Sequence, residues 1–477
     1  MNRGLADLAR LDATAQLVAL ATRRISAAAL LEASVAQAEA AADFNAVVRR
    51  DLVNARLRAR QMDERRAAGE TGEAMGLLAG LPMTVKDCLD VDGMAASAGL
   101  RSLLGRGAGD AVAVGRARTE GAVIWGKTNV PALAGDAQTY NDLYGVTSNP
   151  WDADRTPGGS SGGAAAALAL GITPLEIGSD VSGSLRIPAS FCGVFAHKPT
   201  YGLVSQRGHV PPAPGTAAEP DLNVIGPMAR SARDLRLLLS IMAQGPVPAK
   251  SAPVALPDLK IGLWLAEPAF ALDDEVGVVI QTLVKSLTDA GTTVEPIRSP
   301  VDPEALLDAF AILMFASTGV GPARAWLRGP ALVARKLGAG RLSWAGVVEA
   351  GTARHSRWLE ANEVRAQMEL TMRKVFERHD VILASAAPVA AFRHDHRPTS
   401  RRRLHSSDGR VLPYGALMDW SALASACGLP ATVIPAGRTP AGLPVGVQII
   451  GPRGGDSKTL AVAQAIDEQI VGFIPPP

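Results

Sequence analysis

Two clusters of glycine and serine, held apart by a run of alanine, constrain this chain more than any other feature. The first comprises Thr156, Pro157, Gly158, Gly159, Ser160, Ser161, Gly162 and Gly163. The second runs Gly178, Ser179, Asp180, Val181, Ser182, Gly183, Ser184, Leu185, Arg186, Ile187, Pro188. Residues 164–170 between them are small and apolar, which predicts a buried helix, and a strand follows. One glycine-rich loop feeding a helix can be a tight turn and nothing more. Two of them bring together backbones that approach a ligand closely and serines able to act as nucleophiles. The pattern lacks a histidine base. The nearest one downstream, His197, sits beside Lys198, Pro199 and Thr200, and no GxSxG elbow is spelled. A serine hydrolase built here needs another base.

The rest of the chain reads as α/β. Over 5–65, Leu5, Leu8, Leu11, Leu17, Leu20, Leu30, Leu31 and Val35 recur at helical spacing, with Ser26 as an N-cap. From Gly76 the texture changes to short β-like runs, 81–91 and 121–128. Segments 260–268, 276–291 and 292–297 form a strand–helix–strand unit, which implies parallel neighbours. Residues 303–378 are mostly helical by pattern. Segments 431–437 and 442–452 then return to β structure before a helix over 457–470. Proline-rich 209–219 and 244–257 read as surface loops. With 477 residues there is room for about three domains, yet the chain begins and ends around one mixed sheet.

Composition narrows the partners. Lys plus Arg total 48 against 46 for Asp plus Glu, a net charge of +2, so nothing electrostatic favours nucleic acid or an anionic membrane. Aromatic residues are 4%, too few for a base-stacking platform. Cys88, Cys192 and Cys427 are far apart and form neither a disulfide framework nor a zinc motif. The first two dozen residues lack an apolar core of the signal-peptide kind, and no long apolar run occurs. The expectation is a cytoplasmic globular protein.

Two other motifs compete. Gly121 through Thr128 matches the phosphate-loop pattern GxxxxGK[ST], the basis of an ATP-binding alternative. Its inner residues Ala122, Val123, Ile124 and Trp125 belong in a strand, whereas a phosphate cradle needs small flexible ones. The basic stretch from Arg393 to Arg410 contains His394, His396 and His405 and would suit an anion or a nucleic acid. A His-x-His pair supplies too few metal ligands, and a charged loop is usually a solvated one.

GGSSGG at 158–163, GSDVSGSLRIP at 178–188, FCGVFAHKPTYG at 191–202 and TVKD at 84–87 together resemble the amidase signature family of serine hydrolases. The resemblance extends to GKTNVP at 126–131, SNPWD at 148–152 and GLPVGVQIIGP at 442–452. It implies one large domain over 1–477, a mixed central β-sheet with helices on both faces. Within it, 5–65 are N-terminal helices, 76–205 the catalytic core and 303–415 a helical region shaping the substrate entrance. It also implies a triad of Lys86 as base, Ser160 entered through a cis peptide bond, and Ser184 as nucleophile. The N–H groups of Val181, Ser182, Gly183 and Ser184 would form the oxyanion site, with Ser161, Asp180 and Arg186 in support. No metal or organic cofactor is called for. Strand alternation turns Lys86 away from Met83, Val85 and Asp87, and burial would lower its pKa towards that of a useful base.

Departures from the family bear on substrate. Ser182 stands where many members have Gly, and Pro131, Ala132 and Leu133 follow GKTN in place of an acidic residue and an aromatic. Ile187 stands at a position that is typically Gln in family members working on glutaminyl- and asparaginyl-tRNA. Tyr140, Tyr144 and Ile187 are candidate pocket residues. Leu306, Leu307, Phe310, Leu313, Met314, Phe315 and the loop 211–214 are candidates for the entrance. The only cationic cluster in the region, 401–403, is expected in a surface loop, leaving no dedicated charge for a carboxylate. The expected substrate is a neutral, mainly apolar small-molecule amide or anilide, with aryl esters and carbamates (urethanes) as further candidates. The alternative within the family is a glutamine-dependent transamidation subunit. The expected assembly is a monomer or homo-oligomer, with no nucleic acid or membrane partner.

Overall fold

The computed structural model describes residues 8, 10–247, 253–317, 326–337, 340 and 343–477. Leu5 of the expected first helix, residues 248–252 of the second proline-rich loop, and 318–325, 338–339 and 341–342 of the helical region lie outside the described residues.

The short apolar runs punctuated by glycine and proline become strands: β1 (Val47–Arg50), β2 (Pro82–Lys86), β3 (Val123–Thr128), β4 (Tyr140–Asn141), β5 (Gly145–Val146), β6 (Leu175–Asp180), β7 (Phe195–Lys198) and β8 (Val224–Ala229). The second half adds β9 (Lys260–Trp264), β10 (Thr293–Pro296), β11 (Val381–Ser385), β12 (Arg403–His405), β13 (Val411–Pro413), β14 (Ala431–Arg438) and β15 (Pro444–Ile450). Eleven of them form one mixed sheet in the order β1-β3-β2-β6-β8-β7-β14-β15-β11-β9-β10. Every residue of β2, β3, β6, β7, β8, β11 and β15 is buried, so these strands are covered on both faces. The expected strand–helix–strand unit is β9, the helix Asp274–Asp289 and β10, with β9 and β10 parallel. That helix turns Val276, Val279, Ile280, Leu283 and Leu287 inward, and Asp273 caps its start. Ser26 likewise caps Ala27–Ala40, accepting from the Ala29 N–H at 3.1 Å.

β2 runs parallel to both β3 and β6, so the C-terminal ends of three adjacent strands share one edge. Open α/β sheets bind ligands at such edges. The helix Gly162–Ala169 is buried along its whole length. Its small residues let it come close: a Cβ on Gly163 would sit 2.4 Å from the Asn129 nitrogen.

Two expectations change. The 303–415 region is not one helical insertion. Helices Pro303–Ser317, Arg328–Lys336, Trp344–Gly351 and His355–Phe376 are followed by β11, which pairs with β15 and β9 inside the main sheet. The entrance residues also differ: Leu306, Leu307, Phe310, Leu313 and Met314 are buried in a second core with Trp264, Phe270 and Trp420, and Phe315 packs against it. A continuous apolar stripe on a helix buries itself, and this one has a sheet to bury against.

The phosphate-loop match is β3 itself. Gly126, Lys127 and Thr128 are buried strand residues, and the Lys127 amine lies 3.3 Å from the Asp87 carboxylate, both inaccessible to solvent. The three cysteines are buried and unpaired with one another. No helix among the described residues is long and apolar enough to cross a membrane.

Candidate active site

Lys86 is the last residue of β2, and Ser179 and Asp180 end the neighbouring β6. Parallel pairing of the two strands, with Val85 opposite Ile177, brings the lysine and the serines to one place. The Lys86 amine is fully buried. It lies 2.7 Å from Ser160 Oγ, 2.8 Å from Ser161 Oγ, 3.0 Å from Ser179 Oγ and 3.4 Å from the Ser179 carbonyl. Burial lowers its pKa from 10.5 to about 8, against the opposing pull of Cys88, Asp180 and Glu176. The Gly159–Ser160 peptide bond is cis, as the resemblance implied.

Ser184 is less deeply placed than Ser160 and Ser161, being half-buried. It joins the cluster through its backbone, its carbonyl accepting from the Ser161 N–H at 3.1 Å. Asp180 organises the turn that carries it. One carboxylate oxygen accepts from the Gly183 N–H at 2.7 Å and the other from the Leu185 N–H at 3.0 Å. Arg186 closes on the same two oxygens at 3.0 and 2.9 Å. Burial would raise the Asp180 pKa, but Arg186 and the backbone donors hold it down at about 2. Arg186 in turn reaches the Ser421 carbonyl at 3.1 Å and Ser425 Oγ at 2.8 Å.

This turn corrects one expectation. The Gly183 N–H is committed to Asp180, which leaves Val181, Ser182 and Ser184 from the expected set of oxyanion donors. A short aspartate side chain readily accepts from backbone N–H groups a few residues on, as Asp180 does here from Gly183 and Leu185. Gly183 itself has φ +105°, and a Cβ there would meet Ser421 Oγ at 2.5 Å and Ile187 Cδ1 at 2.8 Å.

The pocket candidates lie in three different settings. Ile187 is 1% exposed and packs with Phe191, Leu404 and Leu417; it props the turn from beneath instead of facing open space. The Tyr140 hydroxyl receives a hydrogen bond from Arg402 at 2.6 Å, and its ring stacks on His396 at 4.2 Å. Tyr144 lies towards Ser97, Asp87 and Arg49, and burial raises its pKa. Arg402 is the largest surprise. It is 2% exposed, bound to Asp136 at 2.6 Å, with its guanidinium over the rings of Tyr140 and Tyr414. Residues 136–138 carry that pair and lie directly against Gly159. Elsewhere in the basic stretch, Arg393, Arg397 and Arg410 face Asp154, Asp395 and Asp408.

His197 bonds Thr432 at 2.9 Å and Asp456 at 3.0 Å, away from the serines. The residue missed by sequence reasoning is His209. It sits 2.9 Å from Ser179 Oγ, and burial and the Lys86 charge depress its pKa to about 4.

A mixed sheet that presents a buried lysine among serines at the ends of parallel strands gathers the groups that acyl-transfer enzymes of the α/β class use. The Amidase family model matches residues 29–460. A glutamyl-tRNA(Gln) amidotransferase subunit from Chloroflexus aurantiacus is 32% identical over 97% of each chain. A solved amidase superposes with a TM-score of 0.79 at 28% identity, covering 96% of this chain and 99% of its own. A bacterial aryl acylamidase of 24% identity shares the fold, with a TM-score of 0.78 over 97% of this chain and 96% of its own. The chain belongs to the amidase signature family.

Proposed function

We propose that the protein hydrolyses the C–N bond of neutral, mainly apolar amides or anilides, with Ser184 as nucleophile, Ser160 as relay and Lys86 as base. The observation that carries this reading is the buried Lys86 amine 2.7 Å from Ser160 Oγ, with its pKa lowered to about 8. Ser184 Oγ attacks the carbonyl carbon while its proton passes to Ser160 and the Ser160 proton passes to the Lys86 lone pair. The oxyanion meets the N–H groups of Val181, Ser182 and Ser184, at about 3–4 kcal/mol per well-placed donor. The proton returns through Ser160 to the leaving nitrogen as the C–N bond breaks. Water then attacks the acyl-enzyme, using the same base. Ser161, Asp180 and Arg186 hold the parts in place. None of these steps uses a metal or an organic cofactor.

The pairing of Arg402 with Asp136 supports a neutral substrate, since this buried arginine beside the Gly159 segment already has its carboxylate partner. The similarity to an amidotransferase component favours a second reading, glutamine-dependent transamidation with partner chains. Ile187 in place of Gln speaks against it. Aryl esters and carbamates present the same carbonyl to the same donors.

The test is Ser184→Ala. It trims one hydroxyl, so the melting temperature should stay within a few degrees, while turnover falls by about 10⁴-fold or more. Covalent labelling by a fluorophosphonate should vanish in the same variant. Labelling that persists and maps to another serine overturns the assignment.

A further inference from the structure

The hydrogen-bond chain behind Lys86 does not stop at the serines. His209 is buried, with Nδ1 2.6 Å from the Pro211 carbonyl and Nε2 2.9 Å from Ser179 Oγ. A carbonyl only accepts, so Nδ1 carries the proton and Nε2 is a bare acceptor. Ser179 must then give its single proton to His209, which leaves its oxygen as an acceptor for Lys86 at 3.0 Å. Ser161 is fixed in the same sense, because its hydroxyl donates to the Ser179 carbonyl at 3.3 Å and accepts from Lys86 at 2.8 Å. A neutral amine has two N–H donors and one lone pair. With one donor taken by Ser161 and the other directed at Ser179, whose hydroxyl at 3.0 Å and carbonyl at 3.4 Å lie on the same residue, the lone pair faces Ser160.

We infer that His209 is a positioning residue: through Ser179 it holds the Lys86 amine in the orientation that accepts the Ser160 proton. This rests on the reading of Lys86 as base. His209 is delivered by backbone pairing. The Asp90 N–H donates to the Gly208 carbonyl at 2.8 Å and the Val210 N–H to the Cys88 carbonyl at 2.7 Å, so 208–210 lies along the chain leaving β2. Without the imidazole acceptor, the Ser179 hydroxyl turns to the nearest lone pair, that of Lys86, and competes with Ser160 for it.

The readout is the rate of Ser184 labelling by a fluorophosphonate, in which the Oγ–P bond forms, P–F breaks and fluoride leaves as the serine proton moves towards Lys86. His209→Phe removes the acceptor and should slow the maximal labelling rate at least tenfold, with the half-saturating probe concentration changed less than twofold. His209→Gln offers an oxygen to Ser179 and should recover the rate to within about threefold. In a Ser179→Ala background, His209→Phe should cost nothing further, because its route of action is gone. A wild-type rate in His209→Phe, equal losses in the Phe and Gln variants, or full additivity with Ser179→Ala each overturns the inference. Should His209→Phe fail to fold, His209→Leu, which also lacks an acceptor, carries the same test alone and in the Ser179→Ala background. Lys86→Arg separates the two readings. If it labels at the wild-type rate, the base assignment falls. If it is dead while His209→Phe is unimpaired, only the role of His209 falls.

Discussion

At the scale of single residues, the site turns on one amine kept out of water. Desolvation disfavours the charged form of a lysine and lowers its pKa, and Cys88, Asp180 and Glu176 return part of that shift. The proposed base is active when deprotonated, so kcat/KM should rise with pH through about 8 to an alkaline plateau. Lys86→Ala should lose most activity, and Lys86→Arg should not restore it, because a guanidinium stays protonated. A kcat/KM profile flat between pH 6 and 10 overturns the base assignment. The motifs that carry Lys86, Ser160 and Ser184 are local, and their proximity was legible: Lys86 lies 2.7 Å from Ser160, and the Ser184 carbonyl accepts from the adjoining Ser161 N–H. His209 was not: a lone histidine in a proline-rich loop carries no signal until that loop is laid beside residues 88–90. Arg402 was misread for a similar reason. A run of arginines reads as solvated, and only the tertiary contact with Asp136 buries it.

At the scale of elements, period-2 and helical patterns identified β2, β3, the strand–helix–strand unit and the final helix, whose ends fall at Asp456 and Gln469. They failed at β11. Its five residues, VILAS, form a short apolar run that periodicity cannot tell from helix, set directly after a long helix. β3 shows the opposite lesson. Its Gly126 and Lys127 complete a nucleotide motif begun at Gly121, yet the lysine serves the strand by pairing with Asp87 in a site closed to water. Lys127→Met should therefore strand a buried carboxylate and lower stability by about 3–5 kcal/mol. A calorimetric or denaturant measurement reads that loss directly. Millimolar Mg-ATP should leave the melting temperature of the wild-type protein unchanged, since a ligand that binds only the folded state must raise it. A clear upward shift would restore the nucleotide reading.

At the scale of the whole molecule, the chain crosses one sheet from edge to edge, and the segment 386–415, with its β12–β13 hairpin, brings Arg402 to Asp136 and the two tyrosines. A carboxylate or amino-acid head group held in this region would take that arginine as its partner. To do so it must draw Arg402 from Asp136 and leave a carboxylate that is nearly buried without its partner, a rearrangement that costs several kcal/mol. A neutral amide asks for no such exchange, and an aryl leaving group adds apolar area to bury. An anilide such as 4-nitroacetanilide should therefore be preferred to free glutamine by at least about a hundredfold in kcat/KM, the ratio that a cost of ~3 kcal/mol sets. The two rates are read by 4-nitroaniline absorbance and by ammonia release. Arg402→Met should affect both substrates alike if the pair only holds the loop, and should abolish glutamine turnover selectively if the arginine binds a carboxylate. A preference for glutamine that disappears in Arg402→Met would overturn the neutral-substrate reading and favour the transamidation alternative.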